Sequence, residues 1–439
     1  MKIKTISFLI IFGTIAWGAP GDLDKSFGPD GDGQVITNID SENGSTDHSY
    51  DVIVDPDGRI TVTGCSAYGP GESFAVVRYK ADGSLDEEFG EDGRAVMSKP
   101  GYIGHCARSV SLQADGKTVI AGYIQQDSSS SQNFGLARLQ KDGSLDTSFG
   151  TGGFVDRSMG GDDIIYDMVI QKNGYIVVVG RSKVAGKSQM ALARYNTHGQ
   201  LDPDFGDHGG VILQDIGDND AEAYSVFLDK DENIVVAGYS HWFSTDFFTL
   251  LRYRPDGSLD ETFGENPNFK GMVFTDLGGS GARAKGLTID SDGKILAAGY
   301  TDNGSNYDMA ITRYLPDGKL DASFGTGGKV VYNDATINSG EDINDIAIGR
   351  SGKILVAGSY YSNKYAMVAR FDDKGNLDKA FAREGISRWF WGGPGNIVYG
   401  MAIQNSGKIV VTGKGYTADF STARLEVEPV LSPIYYLLQ

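Results

Sequence analysis

The chain has 439 residues, of which 40% are hydrophobic, and a formal net charge of −19. A surface that acidic repels phosphate backbones, which argues against nucleic acid as a partner. None of the five histidines (48, 105, 198, 208 and 241) is spaced as a metal pair.

In chain order, residues 1–18 come first and have the three parts of a secretory signal. Lys2 and Lys4 give a basic start, an apolar run of about a dozen residues follows, and small residues stand at Ala16 and Gly18. Cleavage is expected after Gly18, with Ala19 as the alternative. The apolar run is short for a membrane span, and no cysteine follows it to carry a lipid. The mature chain is therefore expected to be exported, without a transmembrane segment. Loss of Lys2 and Lys4 takes its charge from −19 to −21.

From there the chain repeats itself. A nonamer occurs as GDLDKSFG near the N-terminus, then as DGSLDEEFG, DGSLDTSFG, HGQLDPDFG, DGSLDETFG, DGKLDASFG and KGNLDKAFA. Three more signals keep its register. The first is an apolar hairpin around a DG-like turn, from DVIVDPDGRITVTG to GMAIQNSGKIVVTG, each copy closing on a glycine (Gly64, Gly122, Gly180, Gly238, Gly299, Gly358, Gly413). The second is a strand ending in arginine, as in FAVVRY. The third is a short β-prone run after each FG, such as QVITNI and KVVYND. Each unit thus holds four short strands in about 58 residues, with no amphipathic helix among them.

Seven such units predict an all-β fold, a seven-bladed β-propeller of four-stranded antiparallel blades. An open solenoid would want polar capping repeats, and the chain shows none. The first nonamer has no arginine strand before it and the last arginine strand, at Arg424, has no nonamer after it. The two orphans complete one another if the strand near Gln34 to Ile39 closes the last blade against Phe420 to Leu425, which removes the open edge. The expected organisation is a signal peptide at 1–18, one propeller domain at 19–429 and a tail at 430–439.

Arginine and aspartate recur eight residues apart as Arg78/Asp86, Arg138/Asp146, Arg194/Asp202, Arg252/Asp260, Arg313/Asp321 and Arg370/Asp378, and closure pairs Arg424 with Asp24. A guanidinium fork matches a carboxylate, and seven near-identical copies suit a structural latch better than a site. The Phe of each FG is expected to plug the gap between blades. DPDG and DSDG lack the full calcium-loop layout and are expected to be hairpin turns. Cys65 and Cys106 fall in adjacent blades near the same face, so an inter-blade disulfide is expected in an oxidising compartment.

The pattern DGKIxVAG…ARYxxDGSLDxSFGxxG resembles the delta-60 repeat family of exported bacterial β-propeller proteins, over residues 21 to 428. More loosely it is similar to NHL-type propellers. The resemblance implies fold and export, places the DVIVD-like strands innermost, and carries no defined activity.

The units differ in their inner-to-middle and blade-to-blade loops, and function in a repeat fold concentrates where the repeat is broken. On that variable face the candidate ligand-binding residues are His241, Trp242, Phe243, Asp246, Tyr68, Tyr123, Tyr307, Tyr360 and Tyr361, aromatic rings among polar groups that suit a sugar or an extended peptide. No catalytic residue, metal ligand or cofactor is assigned. Ca²⁺ is the one ion that the loop acids Asp162, Asp163, Asp218, Asp220, Glu341 and Asp342 suggest. The expected protein is a monomeric, non-enzymatic binding or scaffold module for an envelope or extracellular glycan or protein. The alternatives are a propeller-type glycosidase or lyase and a purely structural surface protein.

Overall fold

The structure is a computed structural model that describes residues 18–39, 46–67, 71–207, 209–334, 339–360, 362–417 and 419–427. Residues 1–17 of the expected signal, the tail 430–439, Tyr68 and Tyr361 lie outside the described residues. Within them there are 28 strands, β1 to β28 in chain order, and no helix. They form seven four-stranded antiparallel sheets.

The first sheet shows how each blade is built. It is a meander of β2 (Asp47–Val54), β3 (Ile60–Ser66), β4 (Ser73–Tyr79) and β5 (Arg94–Met97). The DG turn between β2 and β3 puts Gly58 at φ +84°, a conformation that costs a side-chain-bearing residue about 1–2 kcal/mol. In the fourth blade Glu232 takes that position, at φ +64°. The other blades open with β6 (Gly104–Leu112), β10 (Asp162–Ile170), β14 (Ala221–Leu228), β18 (Gly281–Ile289), β22 (Asp342–Ile348) and β26 (Ile397–Ile403). These first strands pack one against the next around a ring, and β26 packs against β2. The hairpin strands read as innermost in the sequence are therefore innermost in the fold.

The ring closes through the N-terminus. The last sheet runs β1-β28-β27-β26, where β1 is Gln34–Thr37, β27 is Ile409–Lys414 and β28 is Phe420–Leu425. Its register pairs Gln34 with Ala423 and Thr37 with Phe420.

The recurring arginines carry several contacts each. Their Nε atoms lie 2.6–2.9 Å from the aspartates eight residues on, and Arg424 meets Asp24 at 2.6 Å across the closure. Each guanidinium lies over the ring of its own nonamer Phe, 4.3–4.9 Å from the centroid. All seven of those rings are fully buried. Arg78 also donates through Nη1 to the carbonyl of Lys141, 2.6 Å away in the next blade, and Arg424 reaches Ala81 of the first blade in the same way. The amide of the nonamer glycine adds a parallel link, as from Gly90 to the carbonyl of Asp142 at 2.7 Å. Where the last nonamer, KGNLDKAFA, substitutes alanine, Ala382 holds φ +46° and its amide bonds the carbonyl of Pro20 at 2.6 Å.

All seven arginines meet their aspartates, and the copies differ only in what else those aspartates hold. Asp24, Asp146, Asp321 and Asp378 each meet a lysine as well as their arginine, and Asp260 meets Arg254. The hydroxyl two residues on, at Ser26, Ser148, Thr262 and Ser323, also donates to Asp24, Asp146, Asp260 and Asp321. Asp86 and Asp202 depart from this pattern. Both are buried against Arg78 and Arg194, and among the described residues neither forms a second ion pair. The residues two places on are Glu88 and Asp204, which bring no hydroxyl to the aspartate. Asp86 and Asp202 therefore rest on the arginine alone for charge, and their burial keeps them out of reach of any ligand.

Two stability effects are expected. Asp24→Ala leaves Arg424 and Lys408 without their shared buried carboxylate and should cost about 3–5 kcal/mol. Ala382→Gly removes a left-handed alanine and should gain up to about 1 kcal/mol. Denaturant midpoints of the two variants against the parent check both signs.

Candidate binding site in the central channel

Every innermost strand carries a bulge at the same place. In β2 the register against β3 skips between Ser49 and Asp51, which leaves Tyr50 as the extra residue. The corresponding extra residues are Arg108, Tyr166, Tyr224, Lys285, Asn344 and Tyr399. A bulge re-aims side chains, and it needs room on the partner strand. The glycine that ends each hairpin provides it: a Cβ on Gly64 would sit 1.8 Å from the carbonyl oxygen of His48, and the other six hairpin glycines meet the matching carbonyl at 1.9–2.0 Å.

The seven extra residues are all half-buried, and several of them meet across adjacent blades. Tyr50 lies 5.0 Å from Tyr399, and Tyr166 lies 4.9 Å from Tyr224, centroid to centroid. The Arg108 guanidinium covers Tyr50 at 3.8 Å, and the Lys285 ammonium covers Tyr224 at 3.3 Å. Asn344 donates to the carbonyl of Val398 at 2.9 Å. The residues just before them, such as Ile165, Ala223 and Val398, are buried between blades, so the bulge residues face the channel.

A second level sits two residues earlier, toward the variable face. Here Glu222 accepts from Tyr166 Oη at 3.1 Å and Arg181 Nη1 at 3.3 Å. Asp342 accepts the hydroxyl and the amide of Ser359. Arg283 covers Tyr239 at 3.9 Å and binds Asp246 at 2.7 Å. At this level Cys106 is disulfide-bonded to Cys65 of the first blade.

A third set stands just after the bulge. Asp51 accepts the amides of Val52 and, from the next blade, Val110. Asp167 does the same for Met168 and Val226, and Asp345 for Ile346 and Met401. Burial pushes Asp51 up to about 7, helped by the charge of Asp167, and pushes Asp167 up to about 6. Asp345 rises well above the ordinary range by burial and by Asp51. Burial, then the Arg283 charge, pushes Lys285 down to about 7.

The ligand-binding candidates of the sequence that fall among the described residues lie outside the ring of bulge residues. His241 bonds Asp246 at 2.7 Å, which connects them to Arg283 at the channel rim. Trp242 turns away and packs edge-on against Phe269 and Phe274, 5.5 and 5.8 Å off. Phe243 is 85% exposed at the tip of its hairpin. Tyr123 and Tyr360 are buried, with their hydroxyls on Glu72 and Asp334. Tyr307 lies against Tyr300 with its ring tilted by 35°, 4.4 Å between centroids. His105 is also buried, and its Nε2 accepts the amide of Lys99, so it anchors a connecting loop. Asp47, Asp163 and Asn396 stand at the same position in their blades and accept the amides of Ile39, Met159 and Trp391.

Five segments, residues 56–89, 113–149, 171–205, 230–263 and 291–324, match the family described as domain of unknown function (DUF5122) beta-propeller. Each segment ends on a nonamer Phe. Among solved structures the chain is similar to Sqt1 from Chaetomium thermophilum, at 10% identity and TM-score 0.47, over 91% of this chain and 87% of that one. It is similar to Drosophila Semaphorin 1b extracellular domains 1-2 at 8% identity and TM-score 0.47, over 90% and 86%. A third similarity is to the polysaccharide lyase Uly1, at 10% identity and TM-score 0.45, over 90% and 92%. No curated protein relative matches the chain.

The raised channel aspartates carry a pH signature. A carboxyl whose folded value is raised stabilises the fold fully below its unfolded value, and that contribution is lost as pH rises through the folded one. With Asp51 at about 7 and Asp167 at about 6, against 3.8 for the free group, the loss falls between about pH 4 and 7. The thermal midpoint should fall across that window, and Asp51→Asn should flatten the fall. Calorimetry of the two proteins at matched ionic strength checks it.

Proposed function

We propose that this β-propeller is an exported, non-enzymatic binding or scaffold module of the delta-60 type, and that it takes an envelope or extracellular glycan in its central channel, entered from the variable-loop face. The observation that carries this reading is the ring of bulge residues, which places Tyr50, Tyr166, Tyr224 and Tyr399 with Arg108, Lys285 and Asn344 around one lumen. The repeat is otherwise conservative in its shape-forming residues, yet this column holds large aromatic and polar side chains. Aromatic faces with fixed polar groups between them are what a sugar needs, because ring C–H faces stack while hydroxyls hydrogen-bond.

Two features favour binding over turnover. Glu222 is held by Tyr166 and Arg181, and Asp342 by Ser359, so these carboxylates serve the wall of the channel. Asp51, Asp167 and Asp345 each bridge two backbone amides and join adjacent blades. A general acid or base needs a carboxyl free to reach substrate.

A glycan and cell-wall fragment array, probed with and without Ca²⁺, tests the proposal. Tyr224→Ala and Tyr399→Ala should each weaken a positive glycan about tenfold or more, by analogy with loss of an aromatic anchor. Trp242→Ala should leave it unchanged, since that ring packs on Phe269 and Phe274. Binding lost only in Trp242→Ala places the site on the loop rim and overturns the channel assignment.

A further inference from the structure

We infer that the channel recognises a carboxylate-bearing saccharide, whose anionic group sits between Arg108 and Lys285; this rests on the channel being the binding site. The argument starts from which cations have partners. The seven latch arginines each hold an aspartate, Arg181 holds Glu222 and Arg283 holds Asp246. Arg108 and Lys285 differ. Neither forms an ion pair among the described residues, and Arg108 Nε is buried without a hydrogen-bond partner. Each instead lies over a tyrosine face, Arg108 on Tyr50 and Lys285 on Tyr224.

An unpaired cation withdrawn from water is costly, and a cation–π contact returns only part of that cost. In a chain with net charge −19, carboxylates to pair them were available and are used at every other channel arginine. These two cations belong to different blades and sense one another, since the Arg108 charge contributes to holding Lys285 down. An anionic group placed between them supplies the missing partner to both. A carboxylate on a sugar ring fits the rest of the wall, where Tyr166 and Tyr399 offer faces and Asn344 is held on the backbone of Val398, next to Tyr399.

The arrangement couples binding to proton uptake. Burial and the nearby Arg283 push Lys285 down to about 7, while Glu222 and Asp342 act in the opposite sense. An incoming carboxylate favours the ammonium form, so affinity is greatest below pH 7 and falls as pH rises. The walls around Lys285 also carry Tyr224 on β14 and Asp345 on β22, with Asp51 and Asp167 further along the channel. Asp51 and Asp167 add to the same slope, because an anion is repelled once they ionise.

The test uses the whole protein and titrates trisaccharides of galacturonate, mannuronate and glucuronate alongside their neutral methyl esters by calorimetry at pH 6 and pH 8. At least one uronate should bind at pH 6 and its ester should bind about tenfold or more weakly. Arg108→Gln and Lys285→Gln should each weaken the acid about thirtyfold or more, the lower range for removing one partner of a buried charge pair. A Lys285 amine at about 7 implies about tenfold weaker binding at pH 8 than at pH 6. Lys285→Arg should retain binding at pH 6 and lose less of it by pH 8, the remaining slope belonging to the aspartates. Thermal unfolding of each variant confirms that the fold is intact. Equal binding of acid and ester, or full binding by both glutamine variants, overturns the inference. If neutral glycans bind and lose affinity in Tyr224→Ala, the channel reading stands and only the anion is wrong. If no glycan of either charge binds, the channel reading itself fails.

Discussion

The fold depends on one side chain repeated around the ring, the arginine at the end of each third strand. Its guanidinium holds the aspartate eight residues on, covers the buried nonamer Phe, and in the first blade donates to a carbonyl of the next. One planar fork thereby shapes its own turn, seals the gap between blades and ties neighbours together. Buried pairs of this kind add little net stability over an apolar substitute, but breaking one strands a charge. The contact therefore acts chiefly as a specification: blades that are not in register leave a buried cation unsatisfied. At Asp86 and Asp202, where no lysine or hydroxyl among the described residues assists, the arginine carries that specification alone. Closure obeys the same rule, since Arg424 finds its aspartate only 400 residues back along the chain.

A second constraint links that scaffold to the channel. Each hairpin ends in a glycine because the opposite carbonyl comes too close for a Cβ. That closeness is the bulge, and the bulge turns one residue per blade into the lumen. The structural repeat and the channel-facing column are thus mechanically connected. The glycine is the same in every blade so that the residue across from it can differ. Blades one, three and six add an aspartate beside the bulge that staples the next inner strand, while Ser109, Ser225, Gly286 and Gly400 fill that position elsewhere. At Gly400 a Cβ would come within 2.9 Å of Asp51, so the small residues also make room for their neighbours.

The division between faces is also physical. Turns on the nonamer side are held by local hydrogen bonds and by the arginines, and they tolerate few changes. On the other face, loops are anchored from below by a buried acceptor, Asp47, His105, Asp163 or Asn396, and vary freely above it. Tyr360, a candidate ligand-binding residue in the sequence, and His105 are both chemically versatile and sit beside variable loops. Both prove to be buried supports, a distinction made by depth and not by residue type.

Blade number, strand order, the arginine–aspartate pairing and closure by the N-terminal strand were legible in the chain because each depends on local periodicity repeated seven times. A period of two reveals a strand, a DG turn a hairpin, and two unmatched half-units the seam. The channel was not legible, although its signal was present: in SYDVIVD, ARSVSLQ, AYSVFLD and AKGLTID one residue interrupts the alternation at a constant distance before the turn. Read along the chain, Tyr50, Arg108, Tyr224 and Lys285 look like unrelated breaks in pattern. Only the ring brings residues from different blades within a few ångströms of each other, and only burial shows which arginines have partners. The sequence by itself determined the repeat and its closure, since those follow from contacts within a unit and between adjacent units. The tertiary structure decided what faces the lumen, because that depends on how seven bulges are aimed together.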